Sequence, residues 1–278
     1  MESQSSKPVR RWQRWLVIGI AAVGLGVSLW NISYRSPHVS PGIYPQPDTS
    51  FIGRRTQMRL PAEKADAAII FIGGFGDVLT ANFRAVYEGM PLLPGGGKQL
   101  RAYYAWDGAE GHLLSHDTDV IRDDVCAFLQ CNPGADLVFV GHSYGGSAVM
   151  DVVRQLDHST HGRIVVATLD AVSCRARSYP RERAEGVTYW VNVYCAPYRS
   201  LMDAAARIGG PWRECAQADA NLHFSGEEKD AEGKRYRHSR PLPLFTEIAP
   251  QAEKSAQDFL FEACRQYGIG QTTHPSTK

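Results

Sequence analysis

The sequence predicts an α/β domain, a mostly parallel sheet flanked by helices, carried behind one N-terminal transmembrane helix. Three observations predict it. Short β-rich apolar runs alternate with helix-like stretches through the globular part, the pattern of strands joined by crossover helices. One stretch, "LVFVGHSYGGSAVM" from Leu137 to Met150, passes from strand to helix through a glycine-flanked serine. The third is a run without a charge, Trp15 to Tyr34, with a tryptophan at each end of its apolar core.

The N-terminus comes first. Residues 1–14 carry Lys7, Arg10, Arg11 and Arg14, and residues 15–34 read as an uncleaved signal-anchor. About 17–20 apolar residues just span a bilayer, whereas the core of a cleaved signal is about 7–15 long and ends in a small-x-small site. The excess of basic residues before the run puts the N-terminus in the cytoplasm. Everything downstream is then expected outside the inner (cell) membrane, on the periplasmic or extracytoplasmic side. The alternative is a secreted domain released by signal cleavage. Residues 35–50, "SPHVSPGIYPQPDTS" with its preceding arginine, form a proline-rich linker of semi-extended type. The folded domain is expected over 51–268, with a loose tail over 269–278.

Length and composition bound the function. The chain has 278 residues, enough for one three-layer domain with a sizeable core. Its 30 Lys plus Arg balance 29 Asp plus Glu, so no basic field argues for a nucleic-acid partner. Neither a zinc-type cysteine pattern nor a P-loop is present, and no metal or other cofactor is expected. The six cysteines, Cys126, Cys131, Cys174, Cys195, Cys215 and Cys264, could form disulfides outside the membrane or serve as small buried hydrophobes.

The β-rich runs are "AAIIFIGG" from Ala67, "LRAYYAW" from Leu100, "LVFVG" from Leu137, "RIVVATLD" from Arg163 and "VTYWVNVYC" from Val187. Between the second and third lies "SHDTDVIRDDVCAFLQ", with Ser115 or Asp117 as N-cap and apolar residues at 121, 125, 128 and 129. "SAVMDVVRQL" offers Ala148, Val149, Val152, Val153 and Leu156 as a packing face. "APQAEKSAQDFLFEACRQYG" is a closing helix ended by Gly268.

Ser143 stands at the carboxyl end of a strand and the start of a helix, where open α/β sheets place their ligand sites. A strand that turns this sharply strains its central residue, so Gly141 and Gly145 beside it spare it bulk. The arrangement resembles the α/β-hydrolase fold, in particular its lipase and esterase-like serine hydrolases, over roughly residues 65–267. The resemblance implies that Ser143 in "GHSYG" is a nucleophile, with the acid and the histidine following in that chain order. A serine hydroxyl needs an imidazole to take its proton and a carboxylate to orient the imidazole. Asp170, at the end of the very next strand, is the expected acid; Asp203, in a helix-like exposed pattern, is the alternate. His238, on the loop before the closing helix, is the expected base and His223 the alternate. His274 lies in the polar tail, and His142 is read as a structural neighbour. The oxyanion donors implied are the backbone of Tyr144 and of Gly74 or Phe75 in "FIGGFGDV". The "GGFGDV" turn lacks dinucleotide spacing, and Asp77 would oppose a phosphate.

The activity implied is cleavage of small-molecule or lipid carboxylic esters through an acyl-enzyme; a thioesterase or amidase on the same triad, or an inert binding module, is the alternative. The loop after Asp170 carries Arg175, Arg177, Arg181 and Arg183, a solvated face or a rim for anionic acyl substrates.

Overall fold

The computed structural model describes residues 58–74, 77, 82–104, 118–173, 181–198 and 203–271. The expected anchor and linker, and with them Phe75, Ser115, Asp117, Cys174, Arg175, Arg177 and His274, lie outside the described residues. Among the described residues no helix is long and apolar enough to cross a membrane.

Among the described residues, six parallel strands make one sheet in the order β2-β1-β3-β4-β5-β6. They are β1 (Ala67–Ile72), β2 (Gln99–Tyr104), β3 (Asp136–His142), β4 (Ile164–Leu169), β5 (Val187–Ala196) and β6 (Ala220–Ser225). The helices are α1 (Arg84–Gly89), α2 (Asp119–Cys131), α3 (Tyr144–Arg154), α4 (Ala204–Gly209), α5 (Pro241–Thr246) and α6 (Ala256–Gln266). The short α1 and α5 carry too few periodic apolar residues to stand out in the sequence. Pro241 and Pro243 also read there as loop residues, although proline is well tolerated in a helix's first turn.

Every residue of β1, β3 and β4 is buried, which is why these runs are continuously apolar rather than alternating. Alternate side chains nevertheless serve opposite faces. Ile69, Phe71, Val138, Val140, Val165 and Val191 meet Val86 of α1, Leu244 and Phe245 of α5, and Leu260, Ala263 and Cys264 of α6. Ala68, Ile70, Leu137, Phe139, Ile164 and Val166 meet Ile121, Val125 and Phe128 of α2 and Val149, Val152 and Val153 of α3. Each such side chain removed from water contributes roughly 1.5–3 kcal/mol before chain entropy is set against it.

The helix ends follow local chemistry. Ser255 caps α6 by accepting from Asp258 N–H, and the Asp258 carboxylate accepts in return from Ser255 N–H, a capping box. Past its C-terminus Gly268 takes φ +63°, and Ile269 N–H returns to the Cys264 carbonyl at 2.8 Å. Ile269 and Gly270, expected in the loose tail, are packed instead. Ile269 is fully buried, and Gly270 N–H donates to Asp136 Oδ2 at 2.9 Å. Among the described residues the five cysteines are free thiols.

Chain order and sheet order together locate the site. From β1 the chain crosses to β2 on one side, then returns to β3 on the other side of β1. The crevice at the carboxyl ends of β1 and β3 is therefore the switch point, where backbone loops diverge and leave room for a ligand.

Candidate active site

Ser143 sits at that crevice with φ 57° and ψ −127°, a conformation L-residues rarely take. The turn is held from three sides. Ser143 N–H donates to the Leu169 carbonyl at 3.1 Å, and the Ser143 carbonyl accepts from Gly146 and Val172 at 3.0 and 2.9 Å. The glycines around it are steric necessities. A Cβ on Gly145 would stand 2.0 Å from the Ile72 carbonyl oxygen, and one on Gly141 would stand 2.6 Å from that of Gly145. A Cβ on Gly74 would lie 2.4 Å from Ser143 Cβ and 2.9 Å from its Oγ, so the backbone after β1 passes directly over the serine.

Three sequence-predicted residues converge. The Ser143 hydroxyl lies 2.8 Å from His238 Nε2, and His238 Nδ1 lies 2.8 Å from Asp170 Oδ2. A carboxylate only accepts, so Nδ1 carries the proton and Nε2 presents its lone pair to the serine hydroxyl. Asp170 is fully buried, and its φ of 46° swings its carboxylate off the end of β4 toward the loop that bears His238. That loop, between β6 and α5, is braced by Arg240 pairing with Asp230 and by Tyr236 donating to Glu247 Oε2 at 2.6 Å.

The other candidates fall elsewhere. Asp203, expected on an exposed helical face, is 2% exposed at the N-terminus of α4, where it lies beside Cys195 and Pro197 at the end of β5. There it lines a cavity of about 120 Å³ with Cys195, Arg235 and Arg237. His223 lies on the edge strand β6, stacked on Tyr194 at 4.8 Å and donating to the Ala196 carbonyl at 3.2 Å. Tyr144 opens α3, so its N–H belongs to the helix's first turn beside Ser143, where a developing negative charge is favoured. Arg183 donates to Asp219 Oδ2 and to the Gln217 carbonyl, ahead of β6 and therefore at the amino edge of the sheet, away from Ser143.

Four features escaped the sequence reading. Asp170 Oδ1 accepts from Cys195 N–H at 2.9 Å and from the Tyr198 hydroxyl at 2.8 Å, leaving Oδ2 for His238. Burial, with Asp170 beside it, pushes the Tyr198 phenol far above its ordinary range, so it remains a donor. Tyr198 follows β5 on the same edge as Asp170, and counting strands to that edge was the available signal. Asp77 is buried, accepts from Phe83 N–H at 3.0 Å and from the Tyr103 hydroxyl, and packs its carboxylate against Gly73. It closes the loop after β1 rather than facing a ligand, and burial raises its pKa. His142 lies against the His238 ring, centroids 5.0 Å apart.

No protein-family model and no curated protein matches the sequence. Solved structures offer distant likenesses. A proposed cell surface hydrolase of Lactobacillus plantarum WCFS1 shares 12% identity at TM-score 0.37, over 76% of this chain and 94% of that one. LpqC, a poly(3-hydroxybutyrate) depolymerase of Bordetella parapertussis, shares 11% at TM-score 0.30, over 74% of this chain and 70% of that one. Likeness this weak says nothing of what the chain does, and the described residues establish a parallel α/β domain.

Proposed function

We propose that the protein is a serine hydrolase of the α/β-hydrolase kind, cleaving carboxylic esters through an acyl-enzyme on Ser143. The observation that carries this reading is the unbroken chain from Ser143 Oγ through His238 to Asp170, two contacts of 2.8 Å at a backbone-strained serine. As Oγ attacks the ester carbonyl carbon, its proton passes to His238 Nε2 and the carbonyl π pair moves onto oxygen. The Tyr144 N–H, with that of Gly74 or Phe75, stabilises this oxyanion; one such donor contributes roughly 3–4 kcal/mol. Collapse breaks the bond to the alcohol oxygen, which takes the proton from His238. Water repeats the sequence on the acyl-enzyme and frees the acid. The substrate is a small-molecule or lipid ester, and no metal or other cofactor enters these steps.

The segment 15–34 holds this domain at the outer face of the cell membrane, tethered by residues 35–50. Full-length protein should stay with the membrane through carbonate extraction. Protease added from outside should digest the domain; cytosolic activity would overturn the placement. For the chemistry, a fluorophosphonate should label the wild type at Ser143, and Ser143→Ala should lose both label and turnover. Labelling that survives this change would move the nucleophile elsewhere, and an unreactive wild type would mark an inert binding domain. A panel of acyl esters, thioesters and amides then separates the esterase from a thioesterase or amidase.

A further inference from the structure

The histidine inside the pentad does more than fill space. His142 is 6% exposed, and its Nε2 lies 2.8 Å from the backbone carbonyl oxygen of His238. A carbonyl only accepts, so this nitrogen carries a proton, and in the neutral ring Nδ1 then carries none. The ring packs against two others: that of Phe83 at 5.7 Å, interplanar angle 25°, and that of His238 at 5.0 Å, tilted by 33°. Phe83 in turn donates its N–H to Asp77 Oδ1, the carboxylate that closes the loop after β1. One neutral imidazole thus touches the nucleophile's strand, the base's loop and the segment leading from the Gly74 turn.

We infer that His142 is a positioning residue that fixes the height of the His238 imidazole over Ser143 by hydrogen-bonding the His238 carbonyl in its Nε2–H tautomer. This rests on the serine-hydrolase reading and adds to it a determinant outside the triad. The geometry explains why a chain would use a histidine here. An aliphatic side chain could fill the space, but it would leave the His238 carbonyl buried without its donor and free to shift. A lysine or arginine would bring a charge beside the imidazolium that forms on His238 during turnover. Burial, and after it the neighbouring His238, hold His142 down to about 3, so its ring stays uncharged across the working range.

The test uses full-length protein in detergent, purified without a histidine tag. His142→Phe keeps the ring and its contact with Phe83 but removes the donor; His142→Gln returns an amide N–H near the Nε2 position. His142→Phe should lower kcat about 10- to 100-fold, the scale of a misplaced catalytic group. KM should change little, labelling of Ser143 by a fluorophosphonate should slow in parallel, and the acid limb of the kcat profile should shift. His142→Gln should recover to within about threefold. A merely structural histidine would lower melting temperature in both variants and leave kcat per folded molecule and its pH profile unmoved, which would overturn the inference. If His142→Phe does not fold, nitrogen NMR of the wild type decides. An Nε2–H tautomer that does not titrate between pH 5 and 9 supports the inference; an Nδ1–H tautomer or a midpoint near 6.5 overturns it. A wild type that fails to label brings down the serine-hydrolase reading itself, whereas a wild type and a His142→Phe variant that label equally fast bring down this inference alone.

Discussion

Two aspartates at opposite edges of the sheet show what separates a site from a fastening. Asp170 at the carboxyl edge and Asp136 at the amino edge are both buried, and both oxygens of each accept hydrogen bonds. Asp136 Oδ1 takes the backbone N–H and Nε of Arg163, and Oδ2 takes Arg163 Nη2 and Gly270 N–H. All of those donors are permanent: neither a guanidinium nor a peptide N–H can turn into an acceptor. Asp170 instead faces, beside the Cys195 N–H and the Tyr198 hydroxyl, an imidazole whose nitrogens can each donate or accept. The same carboxylate is thus a clamp at one edge and, in the mechanism we propose, an orienting group at the other, according to the partner facing it.

Matched substitutions break or sharpen this contrast. Asp170→Asn should cost on the order of 10³–10⁴-fold in kcat, because an amide N–H facing His238 Nδ1 forces the ring into the tautomer that cannot take the serine proton. By switching tautomer the ring keeps its buried neighbours paired, so melting temperature should move less than in the next variant. Steady-state kinetics and thermal denaturation on the same preparation read both.

Asp136→Asn should do the reverse, lowering stability by about 2–3 kcal/mol while leaving activity per folded molecule unchanged. Its amide nitrogen meets donors that cannot adapt, and a buried group goes unpaired. Urea unfolding and active-site titration measure the two quantities. An Asp136→Asn enzyme that is stable but slow would erase the distinction between the edges.

The pH dependence of stability carries the contrast to the histidines. His142 takes a proton near 6.5 when unfolded but only near 3 when folded, so its contribution is fully present above 6.5 and lost as pH falls toward 3. The loss is about 1.4 kcal/mol per pH unit while only the unfolded chain binds the proton. Between pH 7 and 4.5 the wild type should therefore lose about 2–3 kcal/mol more than His142→Gln. Equal slopes in urea melts at the two pH values would show that burial does not hold this ring neutral.

The smallest effect concerns Tyr198. Tyr198→Phe removes one of two donors to Asp170 Oδ1 and should lower kcat roughly tenfold, since Cys195 N–H still holds that oxygen. An unchanged kcat would assign the whole orientation of Asp170 to the backbone.

What the sequence determined by itself follows from local rules. Uninterrupted apolar runs fix strands buried on both faces, and the apolar residues at 121, 125, 128 and 129 fix the buried face of α2, since periodicity depends only on the chain's own geometry. Gly141, Ser143 and Gly145 are readable for the same reason: their constraint is the turn they occupy. The tertiary structure decided what depends on residues far apart in sequence. That His238 rather than His223, and Asp170 rather than Asp203, comes to lie beside Ser143 depends on how the loop between β6 and α5 is placed. The contacts of Tyr198, Asp77 and His142 depend on partners from other strands and loops, and Gly270 is held because Asp136 lies in reach. No periodicity records such meetings, because a hydrogen bond between segments belongs to the packing of layers and not to either segment alone.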